Sequence, residues 1–263
     1  MNNQYSNLSE KQKICQILDG EVITIEMNPK TNVFLVKCNA WTEEERSRKG
    51  KYILIDTATI GDELKLIDKL EKVAGITPND LSLIIITHAH FDHAGCVWYF
   101  KKHYPHIKVA VPALEADRFR LGDPAPSVPT GLAARILKIR GNRKELKKIE
   151  PDILFHGGES LEEFGVHAQV LQLKGHTEGG ISIVLNNKKA AIINDLMGGG
   201  FLKYGKPAYH FFLYDRIEIL KNIKMLYEEG FEAFLVTHGY AFTRKPLKDW
   251  LEKELSKHHL NTV

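Results

Sequence analysis

The run Leu83-Ile84-Ile85-Ile86 is unbroken apolar sequence, and it stops at THAHFDHAG, residues 87–95, where three histidines and an aspartate fall within six positions. A run this rich in β-branched residues reads as a buried strand. Burying the ionisable groups that follow it without partners would cost on the order of several kcal/mol. The chain must therefore fold so that this strand end meets a ligand. His88 and His90, two apart on extended backbone, present their rings to one side, while Asp92 and His93 come after the turn as a helix begins. Imidazole and carboxylate donors suit zinc, and also iron or manganese; two histidines cannot close a site, so further ligands must come from elsewhere.

Three more polar residues occupy the same kind of position. His176 follows VLQLKG, Asp195 follows AAIIN, and His238 follows AFLVT, each at the C-terminal end of an apolar strand. Layered α/β folds keep their function at such ends. His103, His106, His156, His167, His258 and His259 lack that placement and read as surface or structural groups, and His210 alone stays open.

The rest of the chain says what surrounds these ends. ICQILD and EVITIEM, flanking Asp19-Gly20, read as strands, followed by strands NVFLVKC and YILIDT, with residues 42–51 as a solvated loop or hairpin tip. A helix is expected from Asp62 as N-cap to Gly75, with Leu64, Ile67, Leu70 and Val73 on its apolar face. LSLIIIT, GCVWYFKKHYP and IKVAV then read as strand, helix and strand. Residues 112–152, with four prolines at or near their start and a basic run behind, form an insertion-like segment in what reads as one domain over residues 1–263. The second half repeats the layout. HAQVLQL, ISIVL and KKAAIIND are strands; DRIEILKNIKMLYEEG is a helix with Ile217, Leu220, Ile223 and Leu226 inward; EAFLVTH is a strand; and a last helix carries Leu247, Trp250, Leu251 and Leu255. Two pseudo-repeated halves, strands in the middle and helices on both outer faces, give an α+β fold built as a four-layer α-β-β-α sandwich.

Bulk properties exclude more than they assign. A formal charge of +3 over 263 residues gives no reason to expect nucleic acid or an acidic membrane as partner. No stretch has the length of a signal or membrane-spanning segment, so a cytoplasmic location is expected, and a homo-oligomer is compatible with the sequence. Cys15, Cys38 and Cys96 are odd in number and not spaced as metal or redox pairs, which fits reduced, mostly packed thiols.

HAHFDH followed by GHTEGG, IIND and THG resembles the metallo-β-lactamase-fold superfamily, whose pattern of His-x-His-x-Asp-His, a later Gly-His-Thr, a later Asp and a final His is matched in order. The resemblance implies one metal held by His88, His90 and His176, a second by Asp92, His93 and His238, and Asp195 bridging them. It places Asp56, at the end of ILIDT, and Thr177 beside the ligands. It further implies two divalent ions, zinc foremost with iron or manganese as alternatives, that activate a bridging water or hydroxide oriented by the catalytic Asp92. Two divalent ions against two carboxylates and a hydroxide leave a modest positive charge, suited to a small anionic or carbonyl-bearing substrate. The implied activity is hydrolysis of an ester, thioester, lactone or phosphodiester.

Departures from the pattern bear on the substrate. Glu178 stands where the family's turn usually has proline, which removes no ligand. The segment from Leu196 to Tyr214 is glycine-rich and then aromatic; Tyr209 and His210 are its candidates for substrate contact. A tyrosine that assists the carbonyl in lactonases of the superfamily has no counterpart at Leu196, Met197 or Gly198. Oxygen-reducing diiron relatives carry Glu where His90 stands here. A mononuclear-iron persulfide dioxygenase keeps the histidines and is the alternative reading; a nuclease or a non-enzymatic metal-bound scaffold finds less support.

Overall fold

Alternation along the strands decides the layers. The computed structural model describes residues 8–28, 31–130, 135, 145–200 and 204–258. One sheet runs in the spatial order β1 (Val22–Asn28), β2 (Thr31–Lys37), β3 (Tyr52–Ile55), β4 (Leu81–Ile85), β5 (Lys108–Pro112) and β6 (Ile153–Phe155). The β1–β2 and β2–β3 pairs are antiparallel, and β3 through β6 pair in parallel. Helices α3 (Glu63–Ala74), α4 (Val97–His103) and α5 (Ala116–Leu121) lie in the parallel crossovers. The second sheet has the order β11 (Phe242–Thr243), β10 (Ala233–Leu235), β9 (Ala190–Ile192), β8 (Ile181–Leu185) and β7 (Ala168–Gln172). Its one parallel pair, β9 with β10, is connected through α6 (Arg216–Glu228), and α7 (Arg244–Lys257) follows β11.

On β4, Leu83 and Ile85 face the space between the sheets with Ile53 and Ile55 of β3, while Ile84, and Ile86 just past the strand, face outward onto Leu66, Leu70 and Phe100. Across the gap, Ile183, Ile192 and Leu235 point inward, while Val184, Ala191 and Phe234 point outward onto Ile219, Leu220, Ile223, Leu247 and Leu251. Helix-on-sheet, sheet-on-sheet and sheet-on-helix clusters make four layers, α-β-β-α, the α+β sandwich expected. Strands covered on both faces have no solvent side to mark with polar residues, which is why they read as continuous apolar runs.

Four local expectations are corrected. ICQILD belongs to α1 (Glu10–Leu18), not to a strand. Ser9 and Gln12 form a capping box at its start, and Ile14, Ile17 and Leu18 lie at helical spacing against the inter-sheet cluster. Residues 42–51 hold helix α2 (Glu43–Lys49), opened by a Thr42–Glu45 capping box, with acidic residues in its first turn and basic ones in its last, as the macrodipole favours. In α3 the buried residues are Leu66 and Leu70, while Leu64 is 72% and Val73 47% exposed. A strict three-residue step falls about 60° short of a full turn each time, so the expected stripe winds off the face. Ile217 of α6, 37% exposed, fails for the same reason while Leu220, Ile223 and Leu226 are buried.

Between β5 and β6, the described part of segment 112–152 contains α5 and an extended stretch that docks beside the strand ends, through Ala125 N–H to the Ala89 carbonyl. Most of the basic run after Leu132 lies outside the described residues. No helix among the described residues is long and apolar enough to cross a membrane.

Candidate metal centre

Strands β4, β9 and β10 and the turn after β7 deliver their polar ends to one place. His88, His90, Asp92 and His93 come from the first sheet, and His176, Asp195 and His238 from the second, so the centre lies where the two sheets meet. The ligand atoms of His88, His90, His176 and Asp195 all lie within 4.8 Å of one another, as do those of Asp92, His93 and His238. The contacts are close: His88 Nε2 is 2.9 Å and His176 Nε2 3.1 Å from His90 Nδ1. Asp195 Oδ2 stands between the groups, 3.2 Å from His93 Nε2, and 3.4 Å from both His176 Nε2 and His238 Nε2. His238 Nε2 is also 3.2 Å from Asp92 Oδ2.

The far nitrogens of His88, His90, His93 and His176 have partners of their own. Thr87 gives its hydroxyl proton to Asp56 and accepts at 3.2 Å from His88 Nδ1; His176 Nδ1–H donates to the Phe212 carbonyl at 2.8 Å. His90 Nε2 lies 3.3 Å from Ser127 Oγ, and His93 Nδ1–H donates to Asp56 Oδ2 at 2.7 Å. The nitrogens left over are lone pairs aimed at one another and at a carboxylate oxygen. Asp195 Oδ1 is buried with no hydrogen-bond partner among the described residues. Converging lone pairs and an unpartnered carboxylate oxygen repel one another unless cations sit among them, and donor sets of nitrogen and oxygen suit divalent ions.

Charge within the cluster follows from the same distances. Burial, reinforced by neighbouring imidazoles, pushes His88 and His176 well below the ordinary histidine value and His90 down to about 4. Against the pull of burial, Asp195 and Asp56 hold His93 well above that value, and Asp195 and Asp92 raise His238 to about 10. Asp195, despite its burial, is held well below the carboxylate range by His238, His210 and His93.

Asp56 sits where the sequence put it. Its backbone is left-handed, φ 63°, and its Oδ1 accepts from Thr87 N at 2.8 Å while Oδ2 holds His93. Thr177 Oγ1 donates to Glu115, a residue the sequence reading missed. Glu115 is 2% exposed, and its carboxylate also accepts from the backbone N–H of Ala89 and Gly179, tying the His88–His90 loop to the His176 loop. The only sequence signal was a lone acidic residue within VPALEA.

A cavity of about 190 Å³ opens onto the cluster, lined by His90, Asp92, Asp195, His210 and His238 and walled by Phe91, Ser127, Phe211 and Phe212. His210 is thus brought to the site. Tyr209 is not: its ring packs edge-on against Trp250, 4.9 Å between centroids, beneath the Arg216 guanidinium in the outer helix layer. A larger cleft of about 440 Å³ lies between α1 and β1 and holds none of the donors.

The model of the metallo-β-lactamase superfamily matches residues 31–216. The chain is 27% identical over 227 residues to the uncharacterised protein YobT of Bacillus subtilis, across 81% of this chain and 87% of that one. It is also 27% identical over 182 residues to the hydroxyacylglutathione hydrolase GloC of Haemophilus influenzae, across 68% of this chain and 74% of that protein. Its backbone resembles an archaeal metallo-β-lactamase superfamily protein from Sulfolobus tokodaii, with a TM-score of 0.62 at 17% identity over 92% of this chain and 89% of the other. At that identity the likeness concerns the fold.

Proposed function

The chain belongs to the metallo-β-lactamase superfamily, and from that premise we propose that it is a metal-dependent hydrolase of small acyl or phosphoryl substrates. The observation that carries the proposal is the convergence of His88, His90 and His176 nitrogens at 2.9 and 3.1 Å, each ring's other nitrogen already partnered. His88, His90 and His176 would hold one divalent cation, Asp92, His93 and His238 a second, and Asp195 would be shared, with zinc the ion this donor set best suits. Such a pair of cations supplies an activated water at neutral pH and polarises a carbonyl or phosphoryl oxygen.

The chain's own residues do the rest. Asp92, 25% exposed and beside His238 at the cavity, would orient the attacking water; against the pull of burial, His238 and His93 hold its carboxyl well below the usual carboxylate range. Asp56 fixes the His93 ring, and Glu115 fixes the spacing of the two ligand loops. Phe91, Phe211 and Phe212 exclude bulk water from the cavity, whose 190 Å³ admits an acyl or phosphoryl group and leaves the remainder of a larger substrate outside. The hydroxyacylglutathione hydrolase relative supports an acyl substrate among the classes considered.

The test couples metal analysis of the purified protein to turnover of a lactone, a thioester, a phosphodiester and a β-lactam. Close to two metals per chain, hydrolysis of at least one substrate, and its loss in Asp92→Ala are expected. One iron per chain with oxygen uptake on a persulfide would overturn the proposal, and full turnover by Asp92→Ala would remove Asp92 from the mechanism.

A further inference from the structure

Resting on that reading, the geometry points to His210 as an eighth metal-ligating residue, which holds the second cation together with Asp195 and His238. The ligand atoms of these three residues lie within 4.8 Å of one another, a second triad that shares His238 with Asp92 and His93. His210 Nε2 is 3.5 Å from Asp195 Oδ2, its side chain is 10% exposed, and its ring lies 5.0 Å from that of His238.

The tautomer supports a ligand rather than a wall. The Phe212 carbonyl accepts from His176 Nδ1 at 2.8 Å and from His210 Nδ1 at 3.2 Å. One carbonyl thus sets both rings the same way, Nδ1–H outward and the Nε2 lone pair toward Asp195, and a hydrogen bond of this kind on the far nitrogen is what orients ligating histidines. The opposite tautomer would give up the bond to the shared carbonyl and rest on a longer contact from Phe212 N, 3.3 Å. Asp195 Oδ2 then faces four imidazole nitrogens, those of His93, His176, His210 and His238, while Oδ1 has no hydrogen-bond partner among the described residues. A cation among them satisfies all of these groups.

The backbone holds His210 in place. Reciprocal 2.9 Å bonds between Gly198 and Ala208 fold the segment back onto the loop that carries Asp195, and Thr130 N–H and Val128 C=O bind Phe211 and Leu213 on the other side. His210 is delivered to the centre by pairings on both flanks.

The test uses the cobalt(II)-substituted full chain, reading stoichiometry and affinity by chelator competition and coordination by visible d–d absorption. His210→Phe keeps the ring's bulk and removes the donor; His210→Ala, with its fold checked by circular dichroism, is the second variant. Both are expected to retain the first cobalt, to bind the second at least ten-fold more weakly, a loss of the order set by ligand-shell changes, and to alter its spectrum. Two cobalt ions at wild-type affinity with an unchanged spectrum in either folded variant would reduce His210 to a cavity wall and leave the hydrolase reading intact. A wild type that binds no cobalt would overturn that reading, and the His210 assignment with it.

Discussion

Removing the Glu115 carboxylate tests whether the two ligand loops are held by one buried group. Its partners are the Ala89 and Gly179 N–H groups and the Thr177 hydroxyl. In Glu115→Ala each is stranded in a region where Ala89 and Thr177 are 0% and 3% exposed, and a stranded buried donor costs about 1–3 kcal/mol. Burial raises the pKa of Glu115, so the carboxylate itself carries a desolvation cost that its loss returns. The net expectation is a loss of about 3–5 kcal/mol in urea unfolding, in the range found when one member of a buried charged network is deleted. Glu115→Gln keeps one acceptor and should lose about 1–2 kcal/mol. Ala89 lies between His88 and His90, and Thr177 follows His176, so the alanine variant should also weaken the cation of the His88–His90–His176 set. An alanine variant that loses less than about 1 kcal/mol with unchanged metal affinity would refute the reasoning, because the loops would then be set by something else.

Asp56→Asn should lower metal affinity about 10- to 100-fold, measured by chelator competition. Both oxygens of Asp56 now accept, and an amide offers His93 or Thr87 the wrong group, while asparagine tolerates the left-handed backbone, so retained affinity would clear Asp56 of a role. Chelation should release the stabilisation of bound cations, about 2.7 kcal/mol for each ion present at a hundred times its Kd, and an unchanged Tm would count against cation binding. The chelated protein should be most stable near pH 6.5. Below that value the unfolded chain takes up protons that the folded one refuses at His88, His90, His176 and His210. Above it, the stability contributed by protonated His93 and His238 drains away as pH climbs through their folded values, about 10 for His238. A Tm that rises steadily from pH 6.5 to 9 would contradict this.

The donors were legible because each breaks a rule where it stands. An apolar strand that ends on His, Asp or His-x-His announces a buried polar end, and five of the candidate donors, His88, His90, His176, Asp195 and His238, needed only that reading. The layers were legible from strand and helix order. What failed was local: α1 was hidden by Ile14 and Ile17, β-branched residues that mimic a strand although their spacing with Leu18 is helical. The α3 face was misjudged by a step of three instead of 3.6.

The cavity wall was illegible for a different reason, since it is built by pairings between distant segments. Pro129 bridges Phe212, Thr130 N–H binds the Phe211 carbonyl, and Ser127 meets His90 only because those backbones are zipped together. Within that ladder Tyr209 and His210, adjacent in sequence, point to opposite sides, as neighbours on extended backbone do. One enters the outer helix layer against Trp250 and the other faces Asp195. A two-residue candidate read from composition therefore had to split. Glu115 shows the same limit more sharply: its donors lie 26, 62 and 64 residues away, and nothing near it in the chain shows that they will meet. Residues that supply chemistry carry their signal in their own neighbourhood, whereas residues that set spacing acquire theirs only from the fold.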